Sequence, residues 1–257
     1  MRNVLSVEVS KGVATLALNQ PAERNPLSVA MKSALIEALE RCSADATIGA
    51  VVITGNGSAF CAGGDVKSMD GPAPSPKERA AALVQLQRIP ELIASLPQVV
   101  IAAVNGPAMG AGLGLACACD LRIASTDARF GTAFLRIGLS TDFGVGWFLP
   151  RIVGPARARR MLLLGEMLNA SQALEIDLVM RVVESQELAG AARELAEQFA
   201  NGPRTAHTAV KRNLAAADSM QLPEYLAQEA QNQLLALQSH DHRKALQAFL
   251  QSRKTTA

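Results

Sequence analysis

The stretch QVVIAAVNGPAMGAGLGLACACDLRIAS, Gln98 to Ser125, decides the fold. Gln98–Gly106 is a short apolar run of the kind that a strand buried on both faces presents. Small residues follow where a strand would hand over to a helix, and Leu121–Ser125 reads as a further strand. The same order occurs upstream. GAVVITG, Gly49 to Gly55, is a buried-strand run, and AFCAGGDVKSM, Ala59 to Met69, is a turn expected to open a helix. Strand, glycine turn and helix, used twice, predict a repeated α/β unit with buried strands.

Outward from this core, LSVEVS and VATLALN are split by Lys11-Gly12 and predict a hairpin. Ser28 is a candidate N-cap for VAMKSALIEALERC, whose Leu35, Ile36 and Leu39 share a helical face. GPAPSPK, Gly71 to Lys77, reads as a loop because of its three prolines. RAAALVQLQRIPELIASL reads as a helix with a kink at Pro90. From Pro155 onward the pattern is nearly all helical. The expected division is an α/β core over residues 1–200 and a helical region over 201–257. Helices left with an apolar face often cover it on a partner subunit, so that region is expected to mediate oligomerisation.

Composition narrows the function. Net charge is +2 and scattered over 257 residues, and a single Trp and a single Tyr supply few base-stacking platforms, which argues against nucleic acid as a partner. The cysteines, Cys42, Cys61, Cys117 and Cys119, fit neither a disulfide framework nor a zinc site, and are expected to be buried free thiols in a reducing compartment. His240 and His242 stand two apart on a predicted helix, which points their rings away from each other, so no metal site is expected. No nucleophile elbow accompanies them to make a Ser–His–Asp triad. The N-terminus lacks the apolar core of a signal peptide, and no apolar stretch is long enough to span a bilayer, so a soluble cytoplasmic protein is expected.

The two glycine turns, AFCAGGD (Ala59–Asp65) and NGPAMGAGLGLA (Asn105–Ala116), admit two readings. Their glycines could simply permit tight strand–helix packing, the better reading for either turn alone. Side by side, they could instead aim two backbone N–H groups at one carbonyl oxygen, an oxyanion hole. The second turn is not a dinucleotide fingerprint, which should open the first βαβ unit and be followed by a ribose-binding acid.

Three segments, AFCAGGD, AAVNGPAMGAGLGLACACDLRIAS and FGTAFLRIGLSTDFGVGWFLPRIVG, resemble in order the crotonase superfamily, the enoyl-CoA hydratase/isomerase family. The likeness begins at LNQPAERNPLS and continues through GPARARRMLLLGEMLNASQALEIDLVMRVV, nearly the whole chain. Within the family, the segment before LPRIVG is most similar to the ring 1,2-epoxyphenylacetyl-CoA isomerases. The resemblance implies a crotonase-like spiral of repeated ββα units with a helical C-terminal section. It also implies an acyl-CoA thioester as substrate, no separate cofactor, and a homotrimer or dimer of trimers.

The resemblance also implies a site. The N–H groups of Gly64 and Ala111 would hold the thioester oxygen, with Asp65 as a helix cap. Ala22, Arg24, Ala62, Gly64, Asp65, Val66 and Lys67 would lie along the CoA path, and the segment AFLQSRK would bring Phe249 to a neighbouring subunit's CoA. Ser252 stands where the family has a cation, leaving Arg253 or Lys254 as substitutes. Met69, Gly110, Gly114, Phe134, Leu139, Phe143 and Trp147 would wall the acyl pocket, with GPAPSPK as a lid beside it.

Water-adding members use two glutamates, whose positions here are Gly114 and Phe134. With both acids gone, nothing evident holds and deprotonates water, which argues against a hydratase. What remains is Asp142 in STDFG. Asp is common in turns, so the bland reading is a turn residue. The family places an acid there in dienoyl-CoA and epoxyphenylacetyl-CoA isomerases, and a nucleophile in chlorobenzoyl-CoA dehalogenase. The favoured expectation is an isomerase with Asp142 as acid and base, and with Phe134 and Phe143 excluding water. The alternatives are a hydrolase or dehalogenase with Asp142 as nucleophile, and a non-catalytic acyl-CoA- or RNA-binding member.

Overall fold

The computed structural model describes residues 3–65 and 75–255, with side chains through Gln251. The chain opens with β1 (Leu5–Ser10) and β2 (Val13–Leu18), an antiparallel hairpin pairing Leu5 with Leu18. Its turn residues, Lys11 and Gly12, both have positive φ, 50° and 76°, the geometry that suits a two-residue hairpin loop. Next come β3 (Pro26–Leu27) and α1 (Val29–Ala44). Ser28 caps α1, its hydroxyl accepting from the Met31 N–H at 3.2 Å, and Met31, Leu35, Ala38, Leu39 and Cys42 are buried. Ile36 is only half-buried, at the edge of that face.

The units then repeat. β4 (Ala50–Gly55) and β5 (Gly63–Gly64) precede α2 (Pro76–Ser95); β6 (Val99–Val104) and β7 (Pro107–Met109) precede α3 (Ala111–Ala118). β8 (Leu121–Ser125) and β9 (Arg129–Gly131) precede α4 (Val145–Val153), and α5 (Pro155–Leu164) follows. In each unit the first strand joins one large sheet and the second, shorter one joins an inner ribbon. The large sheet has the order β1-β2-β4-β6-β8-β11 and is parallel from β2 onward. The ribbon is built from β3 paired with β5 and from β7-β9-β10, the two pieces being joined by a bridge between Cys61 and Ala108. This is the expected spiral of ββα units.

Two expectations change. The loop read over Gly71–Lys77 gives way at Ser75, where α2 begins: Ser75 and Glu78 form a capping box, and proline suits the first helical turn. The helix runs on through Pro90. The segment after Pro155 is not all helical. β10 (Met167–Asn169) pairs with β9, and after α6 (Ala170–Glu175) the strand β11 (Arg181–Val183) extends the large sheet beside β8. Three-residue strands carry too little alternation to be read against helical neighbours; pairing with an existing edge creates them. Gly71–Pro74 and the helix expected after Asp65 lie outside the described residues, and α2 is the first helix described after β5.

α7 (Leu188–Asn201) covers one face of the sheet over Val13, Ala50, Val52, Ile101 and Ile123, while α1 to α4 close the other. α8 (Arg204–Ala217), α9 (Leu222–Gln238) and α10 (His240–Thr255) pack on one another and leave Leu214, Leu222, Leu234, Leu246 and Phe249 exposed. Among the described residues no helix is long and apolar enough to cross a membrane.

An ion pair ties α8 to the sheet. Asp120 accepts from the Val100 N–H and from Lys211 Nζ, each at 2.7 Å, and Lys211 also donates to the Gln98 carbonyl at 2.8 Å. Burial pushes the Asp120 carboxyl above its ordinary value of 3.8, against the pull of Lys211. A carboxyl raised on folding favours the fold below its unfolded value and loses that contribution as pH climbs through its folded one. Lys211→Met leaves the half-buried carboxylate without its ion-pair partner, so it should cost about 2 kcal/mol in denaturant unfolding at neutral pH. The loss should shrink toward acid pH, where Asp120 takes up its proton.

Candidate active site

The two glycine turns do lie side by side. The Cys61 N–H donates to the Pro107 carbonyl at 3.1 Å, and the Met109 N–H returns a bond to the Cys61 carbonyl at 2.9 Å. Gly63 has φ 94°, and a Cβ there would fall 2.6 Å from the Met109 oxygen and 3.4 Å from the Ala111 nitrogen. A Cβ on Gly112 would reach 2.2 Å from the Cys61 oxygen. Glycine is therefore required at both positions so that β5 and the start of α3 can approach. The packing reading holds for Gly63 and Gly112. Gly64 and Ala111, however, line a cavity of about 650 Å³. Ala111 is the first residue of α3, so its N–H precedes the helical ladder, and the Pro107 carbonyl four residues back is engaged by Cys61.

A buried asparagine that the sequence reading passed over sets the first turn. Asn25 adopts φ 55° and is fully buried. Its Oδ1 accepts from the Gln20 N–H at 2.9 Å, and its Nδ2 donates to the carbonyls of Asn56 at 2.9 Å and Ala59 at 2.8 Å. Arg24 adds its carbonyl, which accepts from the Ala62 N–H at 2.9 Å. The signal was there in PAERNPLS: asparagine is among the few side chains that tolerate the left-handed region and can bond outward from it.

Asp142 lines the same cavity as Gly64 and Ala111. It is half-buried, its Oδ1 accepts from the Phe143 N–H at 2.7 Å, and among the described residues no ion pair involves it. Of the expected pocket walls, Gly110, Phe134 and Leu139 are in place, the Phe134 ring lying 3.6 Å from where a Gly110 Cβ would be. Gly114, Phe143 and Trp147 are not on this wall. Phe143 turns down against Gly114 and is fully buried, because positive φ at Phe143 and Gly144, 55° and 70°, reverses the chain. Phe143 and Trp147 border a second cleft, between α2 and α4, that Thr141 and Asp142 share with the first. Trp147 stacks there under the Arg151 guanidinium, 3.8 Å from the ring centre.

Along the expected CoA path, Ala62, Gly64 and Asp65 line the cavity. Ala22 and Arg24 are exposed at the short 3-10 turn Pro21–Glu23, outside that lining, and Phe249 is exposed on α10. Val66, Lys67, Met69 and the side chain of Lys254 lie outside the described residues. Two cations that sequence reading missed, Lys32 and Arg136, are on the cavity wall. Lys32 follows the Ser28 cap by one helical turn, a spacing that could have found it. Arg136 sits in the short 3-10 turn Phe134–Ile137, too brief to give a periodic signal. None of His207, His240 and His242 lines the cavity.

The cysteines are all buried and free. Burial pushes the Cys61 thiol up to about 12 and Cys117 up to about 11, so neither carries a thiolate near neutral pH. No cluster of three or more His, Cys, Asp or Glu able to hold a metal occurs among the described residues.

Known proteins share this fold. The family profile described as enoyl-CoA hydratase/isomerase matches residues 8–256. The chain is 40% identical to a probable enoyl-CoA hydratase of Rhodobacter capsulatus, over 98% of this chain and 96% of that protein. It is 38% identical to the 1,2-epoxyphenylacetyl-CoA isomerase of Escherichia coli, over 98% and 97%. The crystal structure of an enoyl-CoA hydratase from Bacillus anthracis superposes with a TM-score of 0.92 at 31% identity, covering 97% of each chain. With its spiral of ββα units and its paired glycine turns, the chain belongs to the enoyl-CoA hydratase/isomerase family, within the crotonase superfamily of enzymes acting on acyl-CoA thioesters.

Proposed function

We propose that the chain is an acyl-CoA isomerase, shifting a double bond or rearranging the acyl group through an enolate. The observation that carries this reading is the meeting of Gly64, Ala111 and Asp142 on one cavity, while the family's two glutamate positions hold Gly114 and Phe134. The N–H groups of Gly64 and Ala111 donate to the thioester oxygen, most strongly once it carries the enolate charge. Asp142 takes a proton from carbon beside the thioester or one vinylogous position away, holds it, and returns it at the other position. No net proton or water is consumed, so a single carboxylate suffices and no cofactor is invoked beyond the CoA of the substrate.

The named relatives divide between hydratase and isomerase, and the chemistry of the site favours the second. Water addition needs an agent to hold water across the double bond. The acids on the described cavity wall are Asp65 and Asp142 alone, and Gly114 is sealed beneath Phe143. A nucleophilic Asp142 would require a base for the hydrolysis that follows, and no histidine borders the cavity to serve.

Lys32 and Arg136 are suited to the CoA phosphates; the family resemblance would add Ala22 and Arg24 and, outside the described residues, Lys67 and Lys254. The apolar residues exposed on α8, α9 and α10 support a homotrimer or a dimer of trimers, in which Phe249 approaches a neighbour's CoA.

The reading is tested by incubating the protein with a panel of aryl- and alkenoyl-CoA thioesters and following product mass and chromatographic position. A mass-neutral conversion of at least one ester is expected. Products heavier by one water, with no isomer formed, would reject an isomerase.

A further inference from the structure

The turn bearing Asp142 is keyed into the helix that bears Ala111. Phe143 and Gly144 adopt consecutive left-handed conformations, φ 55° and 70°. For a bulky side chain this is a costly state that persists only where the surroundings impose it. Here the surroundings are Gly114. A Cβ on that glycine would lie 2.7 Å from the Phe143 carbonyl oxygen, 3.1 Å from its Cβ and 3.3 Å from its Cδ1. Gly114 is buried inside α3, where glycine is disfavoured relative to alanine unless packing demands it. The Phe143 N–H donates to Asp142 Oδ1 at 2.7 Å, so the seated residue grips the carboxylate directly. Gly114 stands three residues after Ala111, one helical turn along the same short helix. A single rigid turn of α3 thus carries the oxyanion donor at one end and the seat of the acid's neighbour at the other.

We infer that Phe143 and Gly114 form a lock that positions the Asp142 carboxylate against the Ala111 amide, with Phe143 as a positioning residue and Gly114 required as glycine to receive it. This rests on the reading of Asp142 as acid and base. It also turns the missing glutamate from a loss into a replacement. The space one turn into α3 is filled by the backbone and ring of Phe143, so Gly114→Glu should displace the turn and not produce a water-adding enzyme.

Gly114→Ala is the central variant. Its methyl group must push the Phe143 backbone, and displacement of a reacting group by an ångström costs about 10²-fold. A fall in kcat of about 10²-fold is expected, with KM for the CoA thioester close to the parent's. Phe143→Ala should lose kcat similarly, and Phe143→Leu, which keeps a buried branched side chain, should recover most of it. In the Asp142→Asn background, Gly114→Ala should have almost no further effect, since no carboxylate remains to be misplaced. A folded Gly114→Ala protein with parental kcat would overturn the lock, as would a change confined to KM or a full effect persisting in the Asp142→Asn background. Should Gly114→Ala fail to fold, the Phe143→Ala and Phe143→Leu pair decides by the same split of kcat and KM. Parental turnover in Asp142→Asn itself would instead sink the reading of the acid, a separate result.

Discussion

Asp142→Asn is expected to lose turnover by on the order of 10²–10⁴-fold, the usual contribution of a placed acid or base, while melting temperature and affinity for acyl-CoA stay near the parent's. The substitution is close to isosteric. Asparagine keeps an oxygen to accept the Phe143 N–H at Oδ1, so the turn retains its internal bond. No ion pair is broken, since none involves Asp142 among the described residues. What disappears is only the capacity to take up a proton. Under a nucleophilic mechanism the same variant would also be inactive, but the parent would then accumulate an acyl-enzyme on Asp142 that quenching and intact-protein mass spectrometry would reveal. An isomerase leaves no such adduct.

Ala111→Pro should lower kcat by on the order of 10²–10³-fold, the effect of removing one oxyanion donor. Ordinarily a backbone N–H cannot be deleted without damaging the fold. Here it can be, because Ala111 is the first residue of α3, where proline is well accommodated and its missing N–H costs the helix no internal bond. Gly110, which precedes it, has no Cβ to clash with the proline ring. The expected signature is a loss in kcat with the stability of α3 preserved, measured by steady-state kinetics beside thermal unfolding. Equal turnover would mean that the thioester oxygen is held elsewhere.

Much of the fold was legible because its determinants are local. The run at Val99–Val104 is apolar throughout and that at Ala50–Gly55 is so but for Thr54, as suits strands covered on both faces. Gly63, Gly110 and Gly112 could be read as a close approach because only glycine permits the conformations or contacts found there. Lys11-Gly12 announced its turn in the same way. β10 and β11 were not legible, since three residues do not establish a period and their pairing is decided by sheet edges far away in sequence.

The site divides along similar lines. Gly64, Ala111 and Asp142 could be placed by resemblance, since each belongs to a short motif. Phe143 and Trp147 went to the wrong wall: a phenylalanine with φ 55° is not announced by its neighbours, and that dihedral together with the one at Gly144 sends the chain behind the cavity. Gly114 was read as the place of an absent acid, and what packs against it comes from a turn nearly thirty residues on. Asn25 was overlooked because its three bonds converge from separate loops.

The most direct measurement is hydrogen exchange at the carbon beside the thioester, followed by proton NMR in D₂O. A saturated arylacetyl-CoA is the probe, since it has an acidic α C–H and no double bond to move, so the result does not depend on knowing the natural acyl group. Deuterium uptake catalysed by the parent, sharply slowed by Ala111→Pro and lost in Asp142→Asn, is the expected result. Uptake by Asp142→Asn at the parental rate would show that another group removes the proton, and would contradict the role given to Asp142.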